Sequence, residues 1–103
     1  MMETINNYET IFVIDASLEE DKITALVEKF KSLISGAGEI TSVDEWGKRR
    51  LAYPINDLTE GYYVLVNFSS KPDFPHELER IYRITEGIIR DIIIKKEDKK
   101  KRS

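Results

Sequence analysis

The 103-residue chain is predicted to fold as an α+β domain, with its elements in the order strand-helix-strand-strand-helix-strand. Apolar residues recur at helical spacing over 23–34, while β-branched and aromatic residues crowd the short runs 8–14, 62–68 and 88–95. The length suits a single core, one that buries roughly 60–70% of the unfolded surface.

Each element can be justified in turn. In 8–14, Tyr8, Thr10, Phe12 and Ile14 share one face and Glu9, Ile11 and Val13 the other. Both faces are largely apolar, which predicts a central strand. Ser17, Leu18, Glu19 and Glu20 form a capping-box pattern with Ser17 as N-cap. Ile23, Leu26, Val27, Phe30, Leu33 and Ile34 then make one apolar helix stripe, and Gly36 stands where a left-handed C-terminal residue is wanted. Residues 39–45, with Ile40 and Val43, read as a half-exposed edge strand. A basic loop at 48–50 and an apolar segment at 51–55 follow, and Asn56, Asp57 and Gly61 bracket a turn. In 62–68, Tyr62, Val64, Val66 and Phe68 face one way and Tyr63, Leu65 and Asn67 the other. Asp73 is the expected N-cap of a second helix, with Pro75 in its first turn, core contacts from Leu78, Ile81 and Ile84, and an end near Gly87. Ile89, Ile92, Ile93 and Ile94 give the last strand its bulk.

This order is the split β-α-β arrangement of ferredoxin-like domains. Both helices should cover one face of a four-stranded antiparallel sheet, leaving the opposite face open. The domain is expected over 1–95, and 96–103 reads as a short charged tail with nothing to bury, disordered when unbound.

Composition narrows the class. The chain is 41% hydrophobic and 34% charged, which suits a soluble domain with a solvated exterior. No apolar run approaches the roughly 18 residues of a membrane span. The start, Met1-Met2-Glu3-Thr4, has no secretory pattern, and with no cysteine a reducing compartment fits, so a cytoplasmic protein is expected. The net charge is −3, yet it is polarised: acids gather at Asp15, Glu19, Glu20 and Asp21 and over 73–79, bases over 48–50 and 95–102.

Nothing in the pattern supports catalysis. A metal site wants three or four clustered ligands, and His76 is the only histidine in a chain without cysteine. No motif surrounds it as the base of a nucleophile, and no glycine-rich loop cradles phosphate. No catalytic residue, cofactor or metal is expected.

The stretch from Trp46 to Ile55 is the informative one. Lys48, Arg49 and Arg50 cluster like charges, which repel one another unless a polyanion faces them. Tyr53-Pro54 then marks an edge, because proline cannot donate to a ladder. A solvated basic turn before an ordinary edge strand is the alternative. Further RNA-binding candidates are Arg80 and Arg83, three apart on the second helix, and Arg90 at the start of the last strand. Pairing with Glu77, Glu79 or Glu86 is their alternative role. Lys99, Lys100, Lys101 and Arg102 could add salt-sensitive attraction. Ile11-Phe12-Val13 and Gly61-Tyr62-Tyr63-Val64 loosely resemble the stacking signatures of the RNA-recognition motif. However, Val64 replaces a stacking aromatic, and Phe12 and Tyr62 should lie under the helices.

Gly47-Lys48-Arg49-Arg50-Leu51-Ala52-Tyr53-Pro54-Ile55 closely resembles the signature of the bacterial small-subunit ribosomal protein six family. Tyr8-Glu9, Glu60-Gly61-Tyr62-Tyr63 and Glu77-Leu78-Glu79-Arg80 extend the likeness over 5–95. The resemblance implies a non-enzymatic, ribosome-associated protein, monomeric when isolated. It would bind the central domain of small-subunit ribosomal RNA together with ribosomal protein eighteen. It places RNA contacts among Lys48, Arg49 and Arg50, and partner contacts at Trp46, Leu51, Ala52, Tyr53, Pro54 and Ile55. One branch of the family carries an acidic end that receives added glutamates; the basic end here departs from it. Two other classes remain open: a free-standing single-strand RNA-binding module, and an interaction protein that uses its edge strand without RNA.

Overall fold

The structure, a computed structural model, describes residues 4–55 and 58–96, the side chains of 52–55 and 58 excepted. In chain order it forms β1 (Asn6–Asp15), α1 (Glu20–Ala37), β2 (Gly38–Ile55), β3 (Leu58–Ser70), α2 (Phe74–Ile84) and β4 (Ile88–Lys96). The strands lie in the order β2-β3-β1-β4, every pairing antiparallel. This is the expected ferredoxin-like architecture.

β1 is central, as its two apolar faces require. Phe12 stands opposite Val64 of β3 and Asp91 of β4, and directly opposed residues share a face. The helix-side face buries Tyr8, Thr10, Phe12 and Ile14 with Val64, Val66 and Phe68. Against it α1 places Ile23, Val27, Phe30 and Ile34, and α2 places Leu78 and Tyr82. Phe12, Phe30 and Tyr82 meet in a triad with ring centroids 5.3, 5.4 and 4.7 Å apart, so sheet and both helices converge on one contact. Thr10 donates its one hydroxyl proton to the Ile92 carbonyl at 3.0 Å, so in the 2.9 Å bond between Thr10 and Tyr82 the phenol is the donor. Burial pushes that phenol far above the ordinary tyrosine value, and it stays a neutral donor.

Several local expectations are corrected. Ser17 caps no helix: Asp15 Oδ1 accepts its backbone N–H at 2.9 Å and its hydroxyl at 2.6 Å, and α1 starts later, with Glu19 as N-cap. Gly36 lies inside α1, which ends at Gly38 in extended backbone. There a Cβ would fall 2.0 Å from the Ser69 carbonyl oxygen, so close strand approach is the reason for that glycine. α2 stops at Ile84, which is 68% exposed, and Tyr82 fills the core position assigned to it. Gly87, at φ 99°, turns the chain into β4. Asp73 is the N-cap of α2 but makes no side-chain capping bond. The runs 39–45 and 51–55 are one strand, β2, and Gly61 lies within β3. Lys96, assigned to the tail, closes β4 and donates to Asn67 Oδ1; the rest of the tail, like Asn56 and Asp57, lies outside the described residues.

Two outcomes are expected in denaturant unfolding. Thr10→Val leaves the Tyr82 phenol without its acceptor and should cost about 1–3 kcal/mol, part of it recovered in the Thr10→Val/Tyr82→Phe double variant. Gly61→Ala would place a Cβ 2.3 Å from Val13 Cγ1 and should cost about 1–3 kcal/mol through overpacking. Adding Val13→Ala should make the pair less destabilised than the sum of the single changes.

Candidate assembly interface

Gly47 makes a bulge within β2. Its φ is 81°, and the register against β3 slips between Glu45 and Gly47. Pairing then resumes, with Gly47 opposite Tyr63, Lys48 opposite Tyr62, Arg49 opposite Gly61 and Arg50 opposite Glu60. The three cations are therefore strand residues, where the sequence suggested a loop. A strand sends successive side chains to opposite faces. Lys48 and Arg50 share the helix side of the ribbon and Arg49 takes the open side. All three are exposed on an edge strand, and Arg49 Nε donates to the Trp46 carbonyl at 3.2 Å. Beside Lys48, the Tyr62 phenol donates to Glu45 Oε1 at 2.8 Å, a bond to a carboxylate that, with burial, holds its pKa above the ordinary value.

The open sheet face is apolar at its centre. Val13 is buried, and Val13, Leu51 and Ile89 converge where a Gly61 side chain would stand. Around them lie half-buried Ile11, Tyr63 and Leu65. Trp46, Ile92 and Ile94 reach solvent at 39%, 45% and 48% exposure. Trp46 stacks on Tyr63 at 6.0 Å and 17°, and its indole N–H donates to Asp44 Oδ2 at 3.0 Å. Contiguous exposed apolar residues with a polar rim mark an interaction surface.

The other candidates are scattered. Arg80 pairs with Glu77 and Arg83 with Glu79, all along α2 in the helical layer. The Arg80 hydrogen bond holds the Glu77 carboxyl below its usual range. Arg90 stands opposite Val13 on the open face. Thus the six cations form no single patch. Of the partner candidates, Leu51 is only 7% exposed and spends its surface inside the chain; Trp46 is open, and the side chains of Ala52, Tyr53, Pro54 and Ile55 lie outside the described residues. The sequence reading named neither Ile92 nor Ile94 as surface, although their i, i+2 spacing beside a charged Arg90 and Lys96 was the available signal. His76 is exposed, and among the described residues no group of three metal-ligating side chains occurs. No helix among them is long and apolar enough to cross a membrane.

A four-stranded antiparallel sheet with both helices on one face, an apolar strip on the other and a cationic edge defines a ferredoxin-like domain built around an open sheet face. Comparison with known proteins identifies which one. Residues 7–95 match the family model of Ribosomal protein S6, and the chain belongs to that family. It is 54% identical over 95 residues to the small ribosomal subunit protein bS6 of Caldanaerobacter subterraneus subsp. tengcongensis, covering 91% of this chain and all of that one. It is 53% identical over 94 residues to bS6 of Clostridium perfringens, covering 90% and 99%. The crystal structure of 30S ribosomal protein S6 from Thermotoga maritima superposes with a TM-score of 0.87 at 33% identity, covering 95% and 94%. The chain is therefore a non-enzymatic structural protein of the small ribosomal subunit, associated with the ribosome and its RNA.

If Ile92 and Ile94 serve assembly and not folding, the Ile92→Thr/Ile94→Thr variant should lose under about 1 kcal/mol of stability, since both are already half in water. Chemical denaturation of the isolated chain measures this.

Proposed function

We propose that the chain binds the central domain of small-subunit ribosomal RNA as a heterodimer with ribosomal protein eighteen, using two surfaces that meet along β2. The observation that carries this is the division of the basic run by the strand pleat. Lys48 and Arg50 lie on one side, while Arg49 lies on the other with Trp46 and Tyr63 beside the apolar strip. The protein partner takes the open face and the β2 edge, and RNA phosphates take Lys48 and Arg50. Guanidinium and ammonium groups at an exposed edge reach phosphate without disturbing the core. Arg80 and Arg83 contribute less, because their glutamate pairs along α2 would have to be broken. An isolated chain of net charge −3 binds RNA weakly, and pairing adds the partner's cations at high effective concentration.

The test is RNA binding by the heterodimer across a salt series. Lys48→Ala/Arg50→Ala should flatten the logarithmic salt slope by about 0.7–0.9 for each lost phosphate contact, while Arg80→Ala/Arg83→Ala should flatten it less. An unchanged slope in the first variant, or tight specific binding by the chain alone, would overturn the proposal.

A further inference from the structure

We propose that Trp46 and Asp44 form a receptor for a single arginine side chain of the protein partner. This deepens the heterodimer reading and rests on it. Both residues lie on the open side of β2: Asp44 stands opposite Leu65, and Trp46, at the bulge, stacks on Tyr63, which stands opposite Val13. The indole is held before any partner arrives, by Tyr63 against its ring at 6.0 Å and by Asp44 Oδ2 on its N–H at 3.0 Å. A side chain locked at 39% exposure presents aromatic surface at little ordering cost. The bond to the indole uses one carboxylate oxygen of exposed Asp44, leaving Oδ1 to accept another donor beside that ring.

A π face next to a carboxylate selects a cation. Guanidinium fits better than ammonium, because a planar group can lie flat on indole while one N–H reaches the carboxylate. A nucleobase also stacks on indole, but its phosphate would approach the Asp44 charge, so the site favours protein over RNA. Arg49 of this chain does not compete through its Nε, which is engaged at the Trp46 carbonyl on the backbone.

Trp46 is the only tryptophan of this chain, so once the partner's own emission is subtracted its fluorescence reports the site. The experiment titrates the full chain with purified ribosomal protein eighteen, reading Trp46 emission for the wild type and calorimetric affinity for every variant. Emission should change on binding. Trp46→Leu and Asp44→Asn should each weaken binding by about 3- to 30-fold, with Trp46→Phe between wild type and leucine. The Trp46→Leu/Asp44→Asn variant should lose less than the product of the two, because both residues hold one guanidinium. Wild-type affinity in Asp44→Asn, or equal affinity in the phenylalanine and leucine variants, would overturn the arginine receptor while leaving the heterodimer in place. Absence of binding by the wild-type chain would overturn the heterodimer reading and the receptor with it. Emission that responds to a short single-stranded RNA and not to the protein would make Trp46 a base-stacking platform and overturn the receptor.

Discussion

The contact among Phe12, Phe30 and Tyr82 is the constraint on which the rest depends. It takes one aromatic from the central strand and one from each helix, so the two helices cannot leave the sheet independently. The Tyr82 phenol adds direction through Thr10 to the Ile92 carbonyl, joining α2, β1 and β4 in one chain of hydrogen bonds. Such a buried polar link is favourable only because every member is satisfied, and among the described residues no buried side-chain polar atom lacks a partner.

With both helices committed to one face, nothing among the described residues covers the sheet's other face. That leaves Trp46, Ile92 and Ile94 partly in water. β2 carries Lys48, Arg49 and Arg50, charges that discourage pairing with a second edge and suit an anionic partner instead. β2 thus pairs along one edge and leaves the other open.

Much of this was legible in the residues. The apolar stripe of α1, the two apolar faces of β1 and the alternation of β3 each follow from short-range pattern, and together they specify the topology. The failures have local physical causes. Ser17 matched a capping box, but Asp15 lies two residues back and takes both its hydroxyl and its backbone N–H. Ile84 looked more apolar than Tyr82, yet the phenol finds its acceptor in Thr10, 72 residues away, a pairing no local pattern reveals. The basic run was visible as a run, but Gly47 suggested a loop. A bulge absorbs that glycine, the strand continues, and the pleat divides the cations between two faces. The i, i+2 spacing of Ile92 and Ile94 between Arg90 and Lys96 signalled a shared face, but that β4 is an outer strand shows only in the assembled sheet.

If the protein partner takes the open sheet face, that face is covered in the ribosome, and an exposed position on α1, to which no contact is assigned, serves as the control. The chain has no cysteine, so single cysteines can be placed at will. Ile92→Cys on the open face and Thr24→Cys on exposed α1 would be labelled with a maleimide in the free protein and in purified small subunits. Both should react when free, and only the Thr24→Cys site should remain reactive in the subunit. A reactive Ile92→Cys in the subunit, with Thr24→Cys protected, would contradict the account.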